Sequence, residues 1–356
     1  MKCRDRLLGA INRTPIDRIP VWENFWESTI TNWHKQGLPA AVNYNNIPEH
    51  FGLDSYNLVY VDWSLQYPSG VVEDTDEYNI TVSSNNVTTK VMKNAGSTLE
   101  LSNYSITCRK DWEENKKRIQ FNERRVNIKK EKETFDKTRD THLQMYFMPC
   151  MGFEMFKYCM GTEGLLITVA EDPNMIRELT ERLERLAIDG VEYCEGHGLS
   201  FDVAQITEDM GYSNGPFFSP AFYREYIMPS HKRWNDYLHS KGIKSMLHTC
   251  GDNRKLLSSY AEAGFDVLNP LEQKAGMDIF EIKKDYGDVF TIWGGIDVRT
   301  IASGDLAALH DEIRGKVLMA KQGGGYIFSS DHSIPDNVPL STYQKMLEWG
   351  LRYGKY

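Results

Sequence analysis

Apolar positions recur along this chain with two different rhythms. From His142 onward, short apolar runs alternate with longer amphipathic stretches. HLQMYFMP is followed by helical sequence reaching Ile176–His197, and DVAQI by a helix from Pro220 to Ser240. SMLH precedes Arg254–Ala263, DVLNP precedes Asp278–Tyr286, FTIWGG precedes Leu306–Lys321, and YIFSS precedes Leu340–Leu351. Strands alternating with helices of this length predict βαβ units and a parallel sheet. With LVYVDW near the start, the strand count reaches seven or eight, which predicts an α/β fold of the (β/α)8 TIM-barrel type. A doubly wound open sheet is the alternative, but no G-x-G-x-x-G or G-x-x-x-x-G-K-[ST] loop follows any strand.

Between residues 54 and 108 the rhythm is period two and rich in Thr, Val, Asn and Ser, with turn signals at Ser83–Asn86 and Asn94–Gly96. A charged stretch from Asp111 to Arg139 then predicts a helix with a solvated outer face. Together these mark an insertion at about residues 70–140 within one barrel domain spanning 1–356. The triplet Gly323–Gly325 reads as a helix stop and tight turn, and His197–Gly198 as a helix end. His34, His50, His231, His239 and His310 lie in charged helical contexts and are expected at the surface.

Composition narrows the function classes. The 356 residues are 41% hydrophobic, enough for a large core, and carry a net charge of −9. An acidic balance argues against nucleic acid as a partner. No run approaches the length of a membrane span, so no membrane association is expected. The opening MKCRDRLLGAINRTP lacks an apolar run, and the six cysteines show no framework spacing. These features imply reduced thiols and a cytoplasmic protein.

Polar residues gather where strands end, the position at which barrels place their chemistry. DVAQI exits into Thr207-Glu208-Asp209, SMLH into His248-Thr249-Cys250-Gly251-Asp252, and DVLNP into Glu272 and Gln273. FTIWGG is followed by Asp297, and YIFSS by Asp331 and His332. Residues two apart on an extended segment share a face, so the imidazole of His248 and the thiolate of Cys250 can reach one Zn2+, with His332 as a third donor. A buried cysteine beside a hydrogen-bonded histidine accounts for the pair equally well. Tyr158, Tyr212, Trp22, Trp26 and Trp33 suit either an apolar pocket or the core.

Several segments resemble the uroporphyrinogen decarboxylase superfamily: NRTPIDRIPVWENF, EDMGYSNGPFFSP, MLHTCGDNRKLL, NPLEQKAGMD through WGGID, and IFSSDHSIPDNVPLSTYQKM. The resemblance covers most of the chain outside about residues 70–140 and implies a (β/α)8 barrel with its site at the strand carboxyl ends. The superfamily's decarboxylases carry an arginine-rich segment after PVW, where this chain has Glu23 and Glu27. Polyanions would meet repulsion there, where they need cationic clamps. Its other branch, the zinc-dependent, corrinoid-linked methyltransferases, carries H-x-C and a later second cysteine. His248 and Cys250 match the pair, and His332 stands at the position of the second cysteine. The resemblance therefore implies a methyltransferase or demethylase moving a methyl group between a small methylated substrate and the corrinoid (cobalamin) of a partner protein, and a homo-oligomer is compatible with it. Zn2+ would sit on His248, Cys250 and His332, with Glu208 or Asp209 as further possible donors. Glu208, Asp209 or Asp297 would position or protonate the leaving group, and Trp22, Glu23, Trp26, Glu27, Tyr158, Tyr212 and Glu272 would contact substrate. The alternatives are a metal-free tetrapyrrole decarboxylase using Asp209 or Asp297, and a barrel kept as a binding or sensing subunit.

Overall fold

Seven of the apolar runs lie side by side in a computed structural model that describes residues 1–93 and 99–356. In chain order the strands are β1 (Tyr56–Tyr60), β2 (Gly70–Asp74), β3 (Tyr78–Val82), β4 (Thr88–Met92), β5 (Leu99–Ser102), β6 (Leu143–Met148) and β7 (Val203–Thr207). They continue as β8 (Gly211–Tyr212), β9 (Gly215–Pro216), β10 (Lys244–His248), β11 (Val267–Asn269), β12 (Thr291–Trp293) and β13 (Tyr326–Ile327). β1, β6, β7, β10, β11, β12 and β13 form one parallel sheet in that order. Helices cross between successive members, so this is an α/β fold with a curled, TIM-barrel-like sheet.

The two ends of the sheet are joined by chain that precedes β1. Val21 bridges Phe328 in parallel, with Trp22 N–H donating to the Phe328 carbonyl and Phe328 N–H to that of Pro20. On its other side the Val21 carbonyl accepts the Asp54 N–H at 2.7 Å. The helix Cys3–Ile11 plugs the floor: Leu7, Ala10 and Ile11 pack against Leu143, Met145, Val203, Met246, Val267 and Ile327. Buried apolar area of this kind is the main stabilising term.

One carboxylate ties these pieces together. Asp54 is fully buried and accepts Arg6 Nη1 at 2.5 Å, Arg18 Nη1 at 2.7 Å and the Val21 N–H at 2.9 Å. Arg6 also forks onto Asp17 through two 2.7 Å bonds and holds that carboxyl well below the usual range. Plug helix, joining segment and the entrance to β1 thus share one ion-pair network.

After Tyr60 the chain leaves the parallel sheet and returns at Leu143. β2 to β5 form a separate antiparallel sheet in sequence order, with the expected turn at Ser83–Asn86 between β3 and β4. The turn expected at Asn94–Gly96 lies outside the described residues. The charged stretch is not one helix. Arg109–Asn115 and Ile128–Thr138 are helical, separated by single turns at Lys116–Arg118 and Glu123–Arg125. Nor is it wholly solvated: the Arg125 guanidinium is buried and donates to the backbone carbonyls of Gln120, Asp62, Ser64 and Arg118 at 2.6–2.9 Å. A buried cation needs such partners, and gathering four carbonyls requires the loop that interrupts the helix.

His231 is also not at the surface. It is fully buried, with Nδ1 3.0 Å from the Tyr223 hydroxyl, and burial pushes its pKa down to about 3. Gly323, Gly324 and Gly325 all have φ near +70°, which explains why three glycines stand between Leu306–Ala320 and β13. Among the described residues no helix is long and apolar enough to cross a membrane.

Removing one partner of a buried, hydrogen-bonded ion pair strands the other. Asp54→Ala should therefore cost about 3–5 kcal/mol of stability, read from the midpoint of urea unfolding. A loss within the range of an ordinary surface substitution, about 0.5 kcal/mol, would show that the network does not hold the barrel closed.

Candidate functional site

Inward-facing positions of the parallel strands leave a cavity of about 610 Å³ in the barrel interior, reaching the carboxyl ends of the strands. Side chains two apart share a face, so Tyr56 and Leu58 of β1, Gln205 and Thr207 of β7, and Met246 and His248 of β10 all line it. Phe147, Asn269 and Trp293 add β6, β11 and β12, while Trp22 to Phe25 contribute from the joining segment and Ser329, Ser330, His332 and Ser333 from the chain after β13. An aromatic wall runs through it. The Trp22 ring centroid is 5.3 Å from Tyr56 and 5.4 Å from Trp293, the latter edge-on. Among the described residues lining the cavity none is Lys or Arg.

At the exits of β7 and β10 one ligand atom each from Asp209, His248 and Cys250 lies within 4.8 Å of the others. His248 Nε2 is 3.7 Å from Cys250 Sγ, and the Cys250 N–H donates to Asp209 Oδ1 at 2.9 Å. Backbone contact sets this spacing. A Cβ on Gly211 would fall 2.8 Å from the Cys250 carbonyl oxygen, and Gly251, at φ +82°, has no room for one against the Gly211 carbonyl. The glycines therefore let the loop bearing Asp209 press on the loop bearing Cys250. Burial, with Asp209 and Glu272 close by, pushes the Cys250 thiol well up. A thiol among carboxylates keeps its proton unless a cation replaces it. Imidazole, thiol and carboxylate together make an N/S/O donor set of the kind that suits Zn2+.

The other expected site residues divide clearly. Glu23 lines the cavity and is buried, accepting the Ser330 N–H at 2.9 Å, its hydroxyl at 2.7 Å and the Asn24 N–H at 3.0 Å. Burial pushes its pKa up to about 7, against the opposing pull of those donors. His332 lines the same cavity, with its Nδ1 3.3 Å from the Ser333 carbonyl and the exposed Trp26 edge-on at 6.1 Å, but it stands outside the three-residue cluster. Glu208 does not line the cavity. It is fully buried and accepts the N–H groups of Met151 and Glu154 at the start of the helix Phe153–Glu171, with a pKa raised to about 8 by burial.

Asp297 caps the helix Val298–Ser303 and pairs with Arg299 at 2.6 Å; burial opposes, but the arginine holds its carboxyl below the usual range. Glu272 is buried and fixes the Cys250 loop by accepting the Gly251 N–H at 2.7 Å. Glu27 sits exposed in the first turn of Glu27–Lys35, while Tyr158 and Tyr212 are exposed and pack on Trp63 and Phe217. Sequence reading missed Asn269, Gln205, Trp293 and the Ser329–Ser330 pair. Their signal was the two-residue alternation of strands read only for their apolar content.

Residues 150–353 match the family model for uroporphyrinogen decarboxylase (URO-D). A solved structure described as a methyltransferase from Methanosarcina mazei has a TM-score of 0.65 to this chain at 14% sequence identity, covering 99% of each chain. That likeness is one of fold. No curated protein sequence matches the chain.

Glu23 generates a test of the site's electrostatics. Its carboxyl titrates near 4.5 when unfolded and near 7 in the folded protein. Below the first value both states are protonated. Between the two the folded state holds a proton the unfolded state lacks, so stability falls as pH rises through this window. Glu23→Gln does not titrate. The variant's stability relative to wild type should therefore rise between about pH 5 and about pH 8 in paired urea unfolding curves. A pH-independent difference would mean that Glu23 is ionised throughout.

Proposed function

This chain belongs to the uroporphyrinogen decarboxylase (URO-D) family, and from that premise we propose that it is a metal-dependent methyltransferase. In this reading it moves a methyl group between a small methylated compound and the corrinoid of a partner protein. The observation that carries it is the donor cluster at the cavity. Three side chains of the right chemistry for Zn2+ converge beside a chamber whose described lining contains neither lysine nor arginine. The methyltransferase likeness of the fold points the same way. A tetrapyrrole bearing many carboxylates has no cationic partner in this lining, which argues against the decarboxylase reading.

His248, Cys250 and Asp209 would hold the ion. When bound it would supply Lewis acidity toward the heteroatom that carries the methyl group. The chain's own residues do the rest. Trp22, Tyr56 and Trp293 offer flat apolar surface for a neutral or cationic substrate. Glu23, with a pKa near neutrality, holds a proton at the cavity wall, where Ser329 and Ser330 support its carboxyl and it can serve a leaving group. His332, which also lines the cavity, contacts substrate in this reading. Glu208 and Glu272 act at one remove, by fixing the loops that carry the donors.

Protein purified without chelator should contain about one zinc per chain, lost in Cys250→Ala and weakened in Asp209→Asn, because each removes a main contributor to affinity. His332→Ala should keep the metal and change substrate KM. If instead His332→Ala releases zinc and Asp209→Asn does not, the donor set is wrong; zinc-free wild-type protein would refute the metal reading. Reduced free cobalamin, mixed with protein and an aryl methyl ether or a methylated amine, should give the absorbance of methylcobalamin. Uroporphyrinogen should be recovered unchanged. Its decarboxylation at about 1 per second or faster would favour the alternative reading.

A further inference from the structure

Asn269 is the last residue of β11 and stands in register with His248 at the end of β10. It is buried, and it contacts two partners that leave its amide a single orientation. On one side Asn269 Nδ2 donates to the Trp293 carbonyl at 2.9 Å. A carbonyl oxygen only accepts, so the NH2 group must face it and the amide oxygen must face the other way. There Oδ1 lies 2.6 Å from His248 Nδ1. The amide oxygen also only accepts, so Nδ1 carries the hydrogen. In a neutral imidazole the second nitrogen then presents its lone pair. That nitrogen, Nε2, is the one 3.7 Å from Cys250 Sγ.

From this chain of donors and acceptors we infer that Asn269 is a positioning residue, which uses the main chain of β12 to fix the His248 tautomer with the Nε2 lone pair toward the Asp209 and Cys250 donors. The inference rests on the metal reading of the cluster. With the hydrogen on Nε2, a proton would occupy the place of the ion, and two acceptors would face each other at Nδ1. Rotating the amide would set its oxygen against the Trp293 carbonyl. Three adjacent strands therefore share one orientation, set by a backbone group that cannot change its polarity. Partners that orient a metal-bound imidazole in this way are typically worth 10- to 100-fold in metal affinity.

The test compares wild type with Asn269→Asp, which keeps an acceptor for Nδ1–H, and Asn269→Leu, which removes it at similar volume. Zinc affinity is read by competition with a chromophoric chelator. Asn269→Leu should lose about 10- to 100-fold, and Asn269→Asp should lose less, since it keeps the acceptor for Nδ1–H while giving up the bond to the Trp293 carbonyl. Equal losses in the two variants would reduce Asn269 to a packing role and overturn the inference. Nitrogen-15 NMR of histidine-labelled wild type, with the His248 signals assigned by their absence in His248→Gln, reads the tautomer without altering Asn269. Protonation at Nδ1 is expected in the zinc-free protein, and a hydrogen on Nε2 would overturn the inference even if Asn269→Leu failed to fold. Wild-type protein that binds no zinc would refute the metal reading, and the tautomer measurement would still decide the role of Asn269.

Discussion

The buried carboxylate of Asp54 is the constraint on which the barrel depends. A parallel sheet whose first and last strands are far apart in sequence must be closed by something, and here the closure is short: a few residues around Val21, bonded to Phe328 on one side and to Asp54 on the other. So few backbone bonds would be marginal alone. Asp54 adds to them by drawing in Arg6 from the floor helix and Arg18 from the approach to the joining segment. Such a network contributes less through net stability than through geometry, because paired buried charges tolerate few alternative arrangements. Trp22 and Glu23 follow directly on this closure, so the cavity wall inherits its position from the same interaction.

The site shows a similar economy. Most of its acidic residues serve the backbone. Glu208 satisfies the first N–H groups of a helix, Asp297 caps another, and Glu272 and Asp331 accept N–H groups from loops. A buried carboxylate used in this way fixes a loop without entering the chemistry, and it leaves Asp209 at the cluster and Glu23 and Glu49 on the cavity wall. This explains how a rim so rich in carboxylates can surround a chamber whose walls are largely aromatic and neutral.

The alternation of strands and helices was legible in the sequence because period and length differ so plainly between them. The pair His248 and Cys250 was legible because a strand puts alternate residues on one face. What escaped depends on partners distant in sequence. Glu208 looks catalytic until the helix beginning near Phe153 is known to end on it. Arg125 looks solvated until four carbonyls from two loops are found around it. Asn269 looks like the close of an apolar run before a proline, and its role emerges only when the neighbouring strands are in register. His332 was read as the third donor from its place at a strand end and at the position of the second cysteine, with Asp209 as a further candidate; the contact between Gly211 and Gly251 brings Asp209 to the pair, and His332 lies outside that cluster.

The floor helix has a consequence for how the molecule assembles. Its neighbours include Gly325, whose N–H donates to Ala10, and the chain just after it bonds Phe328 and Gly354. These contacts join residues more than 300 positions apart, and closing such a loop costs entropy before any contact repays it. During synthesis, residues 3–25 can meet Asp54 and the early strands, but their bonds to Gly325, Phe328 and Gly354 must wait until the strand at Tyr326 has left the ribosome. Growth of the sheet from β6 to β12 can proceed in the meantime from nearer contacts. Closure therefore lags behind growth of the sheet: the floor and the wall of the cavity are sealed together, and a nascent chain has no closed chamber until the strand at Tyr326 is in place.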